Sequence, residues 1–222
     1  GTGTVSAGDD MAHKTGDSVT TFNDIGRDSS AYGDDMPQSR PVRTIESHTD
    51  GAGIGCYLTN DEREYWRDNV TVDVSGSGGG SAHKNVTGLY LLDGGQLTIG
   101  GNLKLRLANA DPATRGAAPG TDVAHYYMSG IYAGYGGQIR GRTHGDTRFT
   151  LGGTLDMDVV GVGLQANKDG YITVGGGRIV THALGTDTYA LLAEEGSVFM
   201  NTGKSGQERG MRRVDITGNL GV

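Results

Sequence analysis

The chain has 222 residues, a net charge of −7, 41 glycines, 4 prolines and one cysteine. Glycine at that density without proline, beside many Thr and Val, excludes collagen and a mainly helical protein. The acidic excess excludes nucleic acid as the main partner, and Cys56 alone excludes an intramolecular disulfide.

Residues 1–52 carry no repeat. "GTVSAG", "DSVTTFND" and "RPVRTIES" read as short strands, and "GDD" occurs at 8–10 and 33–35. The segment is expected to be an irregular N-terminal cap or arm over the open end of a repeat array. "NDIGRDSSAYGDD" (23–35) has oxygen ligands but no calcium-loop spacing.

From residue 53 onward the sequence resembles itself. "GLYLLDGGQL" (88–97), "GIYAGYGGQI" (130–139), "GLQANKDGYI" (163–172) and "YALLAEEGSV" (189–198) align, with starts 42, 33 and 26 residues apart. Each has a glycine seven positions in: Gly95, Gly137, Gly170 and Gly196. Each resumes alternation at an apolar residue: Leu97, Ile139, Ile172 or Val198. The first half alternates apolar and other residues, which is strand periodicity. The triplets before each resumption are turn sequences whose glycine tolerates positive φ. A second glycine cluster (100–101, 152–153 or 175–177) leads to a third strand, "NLKLRL", "TLDMDV" or "RIVTHA".

A fifth, degenerate copy, "GIGCYLTND" (53–61), has Glu62 for the turn glycine and then a charged insert, "EREYWRD", before "NVTVDV". The segments 108–129 and 142–148 read as polar loop insertions. Strand, turn, strand, turn, strand with uneven loops describes coils of a solenoid. The expected fold is an all-β, right-handed parallel β-helix over 53–222, with glycine corners and a core of stacked Leu, Ile and Val. A glycine-rich antiparallel sandwich is the alternative; it would need hairpins joining successive strands.

"GIYAGYGGQI", "GVGLQANKDGYITVGGGRIV" and "TYALLAEEGSVFMNTG" resemble the passenger domains of autotransporters from diderm bacteria. The resemblance covers about residues 53–205. It implies a right-handed β-helix exported to the cell surface through an outer-membrane barrel, adhesive or self-associating, with few cysteines. No tail of amphipathic ten-residue strands comes after Val214, so the chain is expected to be a fragment or to reach the surface otherwise.

Chemistry is sparse. G-x-S-x-G and H-E-x-x-H are absent, and the six histidines (13, 48, 83, 125, 144 and 182) read as solvated loop residues. Asp156 and Asp158 alternate with Leu155, Met157 and Val159, so they should project outward together, ~7 Å apart by strand rise. That spacing suits a carboxylate pair in a polysaccharide-acting enzyme, and equally a polar face. Arg209, Arg212 and Arg213 read as a solvated chain end, and Asn69 and Asn85 as strand sequence within formal glycosylation motifs. No cofactor or metal is expected. The expected function is non-enzymatic: an extracellular β-helix binding a host or bacterial surface protein or glycan, or copies of itself. The contact residues expected from aromatic exposure are Tyr65, Trp66, Tyr126, Tyr127 and Tyr135. A head-to-tail filament subunit and a polysaccharide-acting or glycan-binding β-helix are the alternatives.

Overall fold

The computed structural model describes residues 4–7, 39–48, 53–76, 86–109, 128–136, 138–139, 142–143, 145–182, 189–193, 212–216 and 218–222. All regular structure in these residues is β. A coil consists of one strand in each of three parallel sheets. The first complete coil is β4 (Gly53–Leu58), β5 (Arg63–Trp66) and β6 (Val70–Gly76). The second is β7 (Val86–Leu92), β8 (Gln96–Ile99) and β9 (Leu103–Asn109). The third is β10 (Met128–Gly134), β13 (Thr147–Leu151) and β14 (Thr154–Val160), interrupted by a hairpin of β11 (Gln138–Ile139) and β12 (Arg142–Thr143). The fourth is β15 (Val162–Ala166), β16 (Gly170–Val174) and β17 (Gly176–His182), and the fifth is β18 (Leu191–Ala193), β19 (Arg212–Ile216) and β20 (Leu220–Gly221). Three strands precede them: β1 (Thr4–Ala7), β2 (Ser39–Arg40) and β3 (Thr44–His48).

The sheets run β1-β3-β6-β9-β14-β17-β20, β2-β5-β8-β13-β16-β19 and β4-β7-β10-β15-β18. All pairings between coils are parallel, so the fold is the expected right-handed parallel β-helix and not the antiparallel sandwich. β1 falls within "GTVSAG", and β3 overlaps "RPVRTIES" and ends one residue beyond it. They extend the seven-stranded sheet in register, Ile45 beside Val72, so regular stacking begins before residue 53. "DSVTTFND" lies outside the described residues.

The core is a set of straight columns. Ile45, Val72, Leu105, Met157 and Ile179 stack from the seven-stranded sheet. Cys56, Leu89, Ile131, Leu164 and Leu191 stack from the five-stranded sheet. From the six-stranded sheet come Glu64, Leu97, Phe149, Ile172 and Val214, beside Trp66, Ile99, Leu151, Val174 and Ile216. Most of these side chains are fully buried, and stacking identical rungs lets each apolar residue cover the next.

Gly55, Gly88, Gly130 and Gly163, which open the copies, form a ladder of close approach. A Cβ on each would lie 2.5–2.9 Å from the carbonyl oxygen of the residue one coil on. It would also press on a core side chain of the opposite sheet: Val74, Leu105, Met157 or Ile179. The first glycine of the repeat is therefore a place where two sheets meet too closely for a side chain.

Three alignments change. Thr147, not Gly137, takes the corner position of Gly95 and Gly170, and Phe149, not Ile139, continues the Leu97–Ile172 column. The cause is the β11–β12 hairpin, which projects at this corner and delays resumption of the coil. Thr147 offsets the cost of its Cβ with hydrogen bonds: its hydroxyl donates to Gly134 O and accepts from Gly94 N, both at 2.9 Å. In the fifth coil Leu164 stands beside Leu191, so Ala190, not Tyr189, matches Gly163. Gly137 and Gly196 lie outside the described residues. "EREYWRD" is not a loop insert: Arg63–Trp66 is a strand in phase with β8, with Glu64 and Trp66 inward.

Candidate interaction face

The outward surfaces of the three sheets differ in kind. That of the five-stranded sheet is occupied by a stack of aromatic rings: Tyr57 on Tyr90 with centroids 5.3 Å apart, and Tyr90 on Tyr132 at 5.1 Å. Gln165 continues the column, and its Oε1 accepts a hydrogen bond from the Ser129 hydroxyl. Tyr57, Ser129, Tyr132 and Gln165 are buried. Burial first, then Tyr57, Tyr135 and Asp93, holds the Tyr90 phenol above its ordinary range, so it stays neutral.

The seven-stranded sheet presents charges of alternating sign. One column runs Thr71, Lys104, Asp156, Arg178; its neighbour runs Asp73, Arg106, Asp158, Val180. Arg106 donates to Asp156 Oδ2 at 3.0 Å and to the Asp156 carbonyl, and Arg178 lies 3.9 Å from the same carboxylate. Asp158 meets His182 at 2.8 Å, while His48 meets Ser75 at 2.7 Å and Asp73 at 3.7 Å. His48 and His182 are thus strand residues, not loop residues. Asp156 and Asp158 do share the outward face, but the Arg106 hydrogen bond, with the charges of Arg106, Arg178 and Lys104, holds Asp156 below its ordinary pKa. A general acid needs the opposite shift.

The six-stranded sheet presents two straight columns of another composition. The first is Arg63, Gln96, Arg148 and Tyr171, with Arg213 next in backbone register; the second is Tyr65, Thr98, Thr150, Thr173 and Asp215. The Arg148 guanidinium lies 4.3 Å from the centre of the Tyr171 ring and donates to Asp146 Oδ2 at 2.8 Å. Gln96 Nε2 donates to the Asp146 carbonyl. Arg212 and Arg213 belong to β19 and are not a loose chain end. At the edge of this face an asparagine ladder closes the corner: Asn69 Oδ1 accepts from Asn102 N, and Asn102 Oδ1 from Thr154 N, at 2.8 and 2.9 Å. Asn69 is thereby a corner residue between strands.

The aromatic residues expected to make contacts separate on this scaffold. Tyr65 lies on the outward face of the six-stranded sheet, beside Thr98. Trp66, its neighbour, points into the core at 0% exposure, because strand alternation turns it inward; it is a core residue, not a contact. Tyr135 is a corner residue with φ 52°, 6% exposed and packed with Tyr132, so it too is structural. Tyr126 and Tyr127 lie outside the described residues. Sequence reasoning missed the arginine and threonine columns, since vertical neighbours appear only once the register is known. Among the described residues, no three His, Cys, Asp or Glu side chains converge as a metal site.

No protein-family model matches this chain, and no curated protein or solved structure is significantly similar to it. The parallel β-helix is the level at which the chain is classified.

Proposed function

We propose that the chain is a surface-exposed or secreted, non-enzymatic β-helix that mediates adhesion or self-association through the outward face of its six-stranded sheet. The observation that carries this reading is the pair of in-register columns, which offers similar polar contacts at successive levels along one axis. Contacts that are weak singly add up when a partner spans several levels. The resemblance of the copies to autotransporter passenger domains supports the same reading and a cell-surface location. The lowered Asp156 pKa weighs against Asp156 as a general acid.

Beads coated with the chain should cluster or attach to bacterial and host cell surfaces, and a negative charge placed outward by Thr150→Glu should suppress this. Beads that neither cluster nor attach would overturn the proposal.

A second reading, a filament subunit, draws on one observation. Among the described residues, β18, β19 and β20 are the outermost strands of their sheets, and Tyr189 and Leu191 are each 39% exposed. Such edges accept strands from another molecule. Electron microscopy of the purified chain would show regular filaments if this end recruits copies.

A further inference from the structure

The outward column of the six-stranded sheet has arginine at alternate levels: Arg63, then Gln96, Arg148 and Tyr171. Neighbouring parallel strands lie ~4.8 Å apart, so the two arginines stand ~10 Å apart along the axis. A hexose in an extended polysaccharide is about as long as one level. We propose that this face binds a linear acidic polysaccharide in which uronate and neutral sugars alternate, laid along the helix axis. This inference rests on the reading of the chain as a binding protein.

The register selects among polyanions. A nucleic acid strand carries a charge every ~3.4 Å, several for each arginine interval. A polyuronate with an acid on every sugar would place half its carboxylates against Gln96 and Tyr171, which carry no positive charge. Only the alternating chain matches a charge to each arginine level and a neutral sugar to each level between. Arg148 is pre-set for the task. Its ring contact with Tyr171 and its Nη2 bond to Asp146 fix the guanidinium, and a guanidinium keeps further N–H donors for a sugar carboxylate. The parallel column of Thr98, Thr150 and Thr173 supplies one hydroxyl per level beside the bound chain.

The test measures binding of the intact chain to three immobilised probes: hyaluronan, in which uronate and neutral sugars alternate; polygalacturonate, acidic at every sugar; and neutral dextran. Binding is expected to be strongest to hyaluronan, weaker to polygalacturonate and absent for dextran, and to fall as salt rises. Arg148→Gln should weaken hyaluronan binding roughly tenfold, the loss of about one charged contact, and Arg63→Gln with Arg148→Gln should abolish it. Arg178→Gln, on the other face, should leave it unchanged. Thermal melts of each variant identify any loss that is due to unfolding. No hyaluronan binding, preference for polygalacturonate, or equal losses in Arg148→Gln and Arg178→Gln would overturn the inference. If coated beads still cluster or attach while hyaluronan is not bound, the polysaccharide inference fails and the adhesive reading stands. If the beads also fail, both fall.

Discussion

Gly88 lies against Gly130 so closely that a Cβ on Gly88 would stand 2.6 Å from the Gly130 carbonyl oxygen and 2.8 Å from Leu105 Cδ1. The ladder at 55, 88, 130 and 163 brings two sheets together, and no flexible side-chain end relieves the backbone contact. Gly88→Ala should therefore destabilise the protein by about 1–3 kcal/mol, as overpacked cores do. Gly145→Ala is the control: among the described residues its Cβ would meet only Asp61 Oδ1, at 3.6 Å, and the change should stay within about 0.5 kcal/mol. Urea unfolding of both variants reads the difference.

Tyr65 and Trp66 are adjacent in sequence and opposite in role. Trp66→Ala should cost about 3–5 kcal/mol, the usual loss for a large buried aromatic. Tyr65→Ala should leave stability nearly intact and reduce attachment of coated beads. Thermal melts and bead attachment on the same two variants separate the roles.

Thr147 occupies a corner where the coils on either side use glycine. Thr147→Val keeps the shape but removes the hydroxyl that joins Gly94 N to Gly134 O. It should lower stability by about 1–3 kcal/mol, because a buried N–H and a buried carbonyl lose their partner together. Thr150→Val, at an exposed position on the same strand, should be close to neutral in the same denaturation assay.

The Arg106–Asp156 contact carries a pH signature. Asp156 has a lowered pKa in the folded chain, chiefly through the Arg106 hydrogen bond. Its contribution is therefore present above the ordinary aspartate pKa and is lost as pH falls through the lowered folded value. The carboxylate is half-exposed, so the effect should be below about 1 kcal/mol. The Tm difference between wild type and Asp156→Asn should be small and positive at neutral pH and vanish in strong acid. A difference that grows in acid would contradict the assignment.

Much of the fold was legible because its signals are local. The glycines at 88, 130 and 163 align in the sequence as they align in space, and "NLKLRL" and "TLDMDV", read as strands, fall on the strands Leu103–Asn109 and Thr154–Val160. Register failed where a corner holds extra residues. Ile139 has the right spacing and the right side chain, but the hairpin formed by Gln138–Ile139 and Arg142–Thr143 hands its place to Phe149. Arg63–Trp66 was hidden because an inward carboxylate, Glu64, breaks the apolar alternation; it lies 4.0 Å from Arg40, a contact between distant parts of the chain. The candidate face was least legible of all. Arg63 and Arg148 are 85 positions apart in the sequence, and nothing in either neighbourhood announces that they share a column.

The central claim, that the outward face of the six-stranded sheet makes the adhesive contacts, is tested most directly by placing negative charge on one face or the other. One variant carries Thr98→Glu, Thr150→Glu and Thr173→Glu; the other carries Thr71→Glu, Lys104→Glu and Arg178→Glu on the seven-stranded sheet. With both variants folded by thermal melt, the first should abolish clustering and attachment of coated beads and the second should leave them unchanged. Loss in the second variant alone, or no loss in the first, would contradict the account.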